Sequence, residues 1–130
     1  MSLTVKELVA QAKQEVEEID AAEAARRLAD GAVAVDVREA DELERGYVPG
    51  AEHIPRGFLE MKIGKHEATK DPDTPLVVYC AGGARSALGA QSLQQLGYTR
   101  VASLAGGFGA WVEAGQSVAL GPDAEGDESE

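Results

Sequence analysis

Three short runs rich in β-branched residues, AVAVDV at 32–37, PLVVYC at 75–80 and RVASLAG at 100–106, alternate with stretches whose apolar residues recur at helical spacing. That alternation constrains the fold more than any other feature of the chain. Strands that are apolar on both sides must be covered on both faces, and helices placed between successive strands act as crossovers. The pattern predicts an α/β domain around a mostly parallel sheet flanked by helices. In such sheets, ligands bind beyond the carboxyl ends of the strands, where loops lead into helices. The chain's single cysteine, Cys80, stands at that location.

The helical segments can be read from caps and stripes. Thr4 and Glu7 form a capping box, after which Val5, Leu8, Val9, Ala12 and Val16 fall on one face. Asp20 with Glu23 starts a second helix whose inner face is Ala21, Ala24, Ala25 and Leu28, ended by the Asp30-Gly31 turn. EADELERG at 39–46 predicts a brief helix, AEHIP at 51–55 a short strand or extended segment, and residues 57–71 contain a further helix. Ala87, Ala90, Leu93 and Leu96 line a helix stopped by Gly97. Residues 107–115 predict a last helix, with Trp111 as its core anchor.

Length and charge then bound the function. A chain of 130 residues has room for one core. The organisation expected is an N-terminal helical extension at 1–18, one domain at 19–116, and an acidic, disordered tail at 117–130. The tail's last ten residues, GPDAEGDESE, carry five carboxylates and no base. With 12 Lys and Arg against 23 Asp and Glu, the net charge of −11 argues against nucleic acid or anionic lipid as partners. There is no apolar stretch of membrane-spanning length and no secretory signal, so a cytoplasmic protein is expected. One cysteine excludes an internal disulfide and any cysteine-based metal centre, and His53 and His66 lack companion ligands, so no metal is expected. GGFG is not a dinucleotide fingerprint, because Val112 stands where the third glycine belongs.

The segment VVYCAGGARSALGA, residues 77–90, carries the chemistry. Gly82 and Gly83 let the short loop of Ala81, Gly82, Gly83 and Ala84 turn successive N–H groups toward one point. A helix expected to start near Arg85 or Ser86 adds its unpaired amides and positive dipole end, and the Arg85 guanidinium adds a permanent charge. Each favours thiolate over thiol, so Cys80 is expected to be ionised and nucleophilic at neutral pH without a histidine base.

At these residues the sequence resembles a known family. VDVREADELERGYVPGAEHIPRG followed by LVVYCAGGARSALGAQSLQQLGYTRVASLAGGFGAW is similar to a single rhodanese domain, over about residues 19–115. The resemblance implies a three-layer fold with a central five-stranded, mostly parallel sheet, and a cysteine that cycles through a persulfide. By position, Cys80 matches the nucleophile, and Ala81, Gly82, Gly83, Ala84, Arg85 and Ser86 match the loop that surrounds the transferred sulfur. Asp36 and Arg38 match a D-x-R segment that is mainly structural in the family. Arg56, in HIPRG, is a further candidate for binding an anionic donor. Two positions depart from the family: Tyr47 stands where histidine is frequent, and Ala81 where a basic or polar side chain is frequent, leaving Arg85 as the loop's only charge.

The resemblance implies sulfur transfer from a small-molecule or protein sulfane-sulfur donor, such as thiosulfate, to cyanide or a thiol, with no cofactor. A homodimer is a possibility through the N-terminal stripe. Two alternatives stand beside this reading. One is a noncatalytic interaction or redox-sensing module; the other is a cysteine phosphatase or arsenate reductase. Those enzymes use a loop of five residues between cysteine and arginine, whereas four separate Cys80 from Arg85.

Overall fold

The computed structural model describes residues 2–121. Five parallel strands form one sheet in the order β1-β5-β4-β2-β3: β1 Glu17–Ile19, β2 Val33–Asp36, β3 Glu52–His53, β4 Leu76–Tyr79 and β5 Val101–Leu104. The helices are α1 Val5–Glu15, α2 Ala21–Ala29, α3 Leu59–Lys62, α4 Ala84–Gln95 and α5 Gly107–Glu113. This is the three-layer α/β architecture the strand-helix alternation implies, and β4 at its centre is buried at all four positions.

The alternating side chains of the strands divide the interior into two cores. Leu76, Val78 and Cys80 pack on one face with Val35, Leu59, Ile63, Ala90 and Leu93. Val77 and Tyr79 pack on the other with Ala24, Val48, Leu104, Phe108 and Trp111. Cys80 therefore continues the face that α4 covers. Among the described residues no helix is long and apolar enough to cross a membrane.

Four expectations change in detail. Strand β1 has no signature in its residues: it is a three-residue edge strand, and Glu17 and Glu18 keep that edge solvated. It begins inside the stretch assigned to an extension. α1 packs on α4, where Gln91 Nε2 donates to Glu15 Oε1 at 2.6 Å, and Ala12 and Val16 are buried. Residues 40–45 form a 3₁₀ helix, and the helix expected within 57–71 is broken into 3₁₀, α and 3₁₀ turns between Arg56 and Lys65. The chain assigned to the tail from 117 is first pinned down. Trp111 Nε1 donates to the Ser117 carbonyl at 2.7 Å, and Ala119 bridges to Tyr47. Residues 122–130, most of the acidic run, lie outside the described residues.

Candidate active site

β4 ends at Tyr79, and the chain turns through Cys80, Ala81, Gly82 and Gly83 into α4, which starts at Ala84, one residue before the predicted start. Gly83 is the residue before the first turn and has φ of +106°, a conformation that costs a side-chain-bearing residue about 1–2 kcal/mol. The Gly83 N–H donates to the Cys80 sulfur, 3.0 Å away. The Ser86 N–H, in the first turn, reaches the same atom at 3.4 Å, and Ser86 Oγ lies 3.5 Å from it.

The turn is held from the opposite side by α5. Phe108 N–H donates to the Cys80 carbonyl at 2.7 Å and Gly109 N–H to the Ala81 carbonyl at 3.2 Å. Because a trans peptide points its C=O and N–H in opposite directions, anchoring these two carbonyls turns the following amides away from α5. Gly107 makes the approach possible: a Cβ there would lie 2.5 Å from the Cys80 oxygen and 2.6 Å from the Ala81 carbonyl group.

Burial alone would push the Cys80 thiol up. The Ser86 hydroxyl and the amides of Ser86, Gly83 and Gly82 together outweigh it and bring the thiol below its ordinary value. An inert core cysteine has no such set of donors around its sulfur. The residue is nevertheless only 1% exposed, although it stands at the strand end where the chain leaves the sheet. Of the turn that wraps it, Ala81, Gly82 and Ala84 are exposed and Gly83 is buried.

The arginines take different places. Arg85 makes a two-pronged ion pair with Glu42, at 2.8 and 3.0 Å, which pulls the Glu42 carboxyl down to about 2 and holds Arg85 above its ordinary range. Arg85 is thus a strut between α4 and the 3₁₀ turn at 40–45, and its charge reaches Cys80 without a hydrogen bond. Arg56 lies against α4, with Nη1 on Glu60 and Nη2 3.3 Å from Ser92 Oγ, and among the described residues it makes no bond to the Cys80 turn. His53 Nε2 donates to the Arg38 carbonyl and His66 Nδ1 meets Glu52, in separate places.

Behind the turn sits a buried brace. Asp36 accepts from Arg38 Nε at 3.0 Å and Nη2 at 2.8 Å, and from the Tyr79 hydroxyl at 2.7 Å. Tyr79 Oη accepts the Val48 N–H, and Arg38 Nη2 also donates to the Gly46 carbonyl. Arg38 lies over the Phe108 ring, 4.5 Å from its centroid. The network ties β2, β4, α5 and the 42–48 segment together beneath the site.

Sequence reasoning passed over Glu42, Gly107 and Ser103. Glu42 is one of several carboxylates in an acidic stretch, and nothing local singles it out. Ser103 did carry a signal: it is a polar residue in a strand otherwise made of Val, Ala and Leu, where a buried hydroxyl demands a partner.

Comparison with known proteins adds an independent line. A family model described as a rhodanese-like domain matches residues 20–114. A sulfurtransferase of Allochromatium vinosum is 38% identical over 102 residues, covering 77% of this chain and 92% of its own length. Thiosulfate sulfurtransferase GlpE of Shewanella oneidensis is 40% identical over 80 residues, 62% of this chain and 75% of its own. Among solved structures, a Rhodopseudomonas palustris protein of unknown function, named a possible tyrosine phosphatase, superposes with a TM-score of 0.80 at 36% identity, covering 92% of this chain and 96% of its own.

Proposed function

The chain belongs to the rhodanese-like domain family, and from that premise we propose that it is a sulfurtransferase working through a persulfide on Cys80. The observation that carries this reading is the set of donors converging on one buried sulfur: the Gly83 and Ser86 amides and the Ser86 hydroxyl. A site of this kind stabilises a single anionic atom.

In the first half-reaction the Cys80 thiolate attacks the outer sulfur of a sulfane donor. With thiosulfate, the new S–S bond forms as the old one breaks, and sulfite leaves with the electron pair. The terminal sulfur of the persulfide carries the charge and stays within reach of the turn's amides, so the same donors serve both half-reactions. In the second half-reaction a thiolate or cyanide attacks that terminal sulfur, and the Cys80 thiolate departs. Neither step consumes a proton or needs a cofactor. Donor and acceptor are a small molecule or a protein bearing sulfane sulfur, and a thiol.

The low exposure of Cys80 favours one competing reading, a noncatalytic module with a sheltered thiol. Intact mass separates the two. After incubation with thiosulfate or a persulfide donor the protein gains one sulfur, about 32 Da, lost again on adding cyanide, and Cys80→Ala gains nothing. No gain from any sulfane donor overturns the proposal in favour of the binding module. Turnover of an aryl phosphate abolished by Cys80→Ser would overturn it in favour of a phosphatase.

A further inference from the structure

Ser103 is the third residue of β5 and is fully buried. Among the described residues its hydroxyl has one partner, Ser86 Oγ, at 2.9 Å. Ser86 Oγ is itself 3.5 Å from the Cys80 sulfur. Three groups from β5, α4 and the end of β4 thus form a line that ends on the nucleophile.

Each hydroxyl in that line has one proton to give, and the count depends on the charge at sulfur. If Cys80 is a thiol, its S–H donates to Ser86 Oγ and the Ser86 proton goes to Ser103 Oγ. The Ser103 proton then has no acceptor; with both hydroxyls reversed, the thiol sulfur accepts only weakly and its own S–H is the unpaired donor, so either way the neutral form leaves one buried donor unmatched, at a cost of up to about 1–3 kcal/mol. If Cys80 is a thiolate, Ser103 donates to Ser86 Oγ and Ser86 donates to sulfur. Every proton then has a partner.

We propose that Ser103 is a positioning residue that fixes the rotor of Ser86, so that the Ser86 proton is presented to the sulfur anion. It acts only through Ser86 and touches no reacting atom. The other charged or titratable groups around Cys80 are Arg85 on α4, already paired with Glu42, and the Asp36–Arg38–Tyr79 brace on the far side of β4. β5 and the first turn of α5 bring uncharged residues only. The proposal rests on the reading of Cys80 as a thiolate nucleophile, and its test uses no sulfur donor, so it can fail while sulfur transfer stands, and the reverse.

The experiment is a thiolate titration by ultraviolet absorbance on the full chain and its variants, with Cys80→Ala as blank. In Ser103→Ala the midpoint moves up, and the thiolate fraction at a fixed pH below the midpoint falls about threefold to tenfold. Ser103→Thr, which keeps the hydroxyl, retains the parental midpoint. On a Ser86→Ala background the same Ser103→Ala change moves nothing, because the residue through which it acts is gone. Circular dichroism and a thermal melt check that each variant is folded; Ser103→Ala removes one atom and adds none. An unchanged midpoint in Ser103→Ala, or an equal shift in both backgrounds, overturns the proposal.

Discussion

Gly107→Ala is expected to destabilise the domain by about 2–5 kcal/mol and to leave Cys80 without its activating turn. Two costs add. The residue has φ of +61°, in the left-handed region that an alanine occupies under strain, and its new Cβ would lie 2.5–2.6 Å from the Cys80 oxygen and the Ala81 carbonyl group. Those atoms are backbone, so relief requires α5 and the cysteine turn to separate. Separation breaks the Phe108 bond to the Cys80 carbonyl and the Gly109 bond to the Ala81 carbonyl. Urea unfolding measures the first effect and the thiolate titration the second. A variant with the parental unfolding midpoint and the parental titration would contradict the account of how α5 holds the turn.

The other large effect is expected away from the sulfur. Asp36→Ala removes the acceptor of both Arg38 and Tyr79, leaving a guanidinium that is 2% exposed without its carboxylate. Breaking a buried pair from one side costs about 3–5 kcal/mol, a large share of the stability of a domain of this size. The loss spreads to the site, because the same network holds the 42–48 segment that presents Glu42 to Arg85. Chemical denaturation of Asp36→Ala checks this. A loss below about 1 kcal/mol, the range of a surface ion pair, contradicts the assignment of Asp36 as the centre of the brace.

The strands of the sheet's interior were legible in the sequence because they are short, nearly continuous runs of apolar and β-branched residues, and so was the position of Cys80 at a strand end before a helix. β1 was not, because three residues with two glutamates carry no alternation and acquire strand geometry only by pairing with β5. The glycines of the turn were legible as such, yet the role of Gly107 depends on α5 crossing beneath a segment more than twenty positions earlier, a contact no local pattern encodes. Likewise Arg85 could be found but not its orientation, since Glu42 meets it only after β2 and β4 align. The burial of Cys80 was hidden for the same reason: the turn folds back over its own cysteine.

One claim supports the rest: although buried, the Cys80 sulfur gives up its proton more readily than an ordinary thiol, because hydrogen-bond donors outweigh desolvation. A folded-state value below the unfolded one means that thiolate accumulates as pH rises through the lowered midpoint. The stability gained from ionisation is present above the unfolded value and is lost as pH falls through the folded one. The direct measurement is the ultraviolet thiolate titration of the unmodified chain, with Cys80→Ala subtracted. The account predicts a midpoint clearly below the ordinary thiol value of about 8.5. A midpoint at or above that value would mean that burial wins, and would contradict the account.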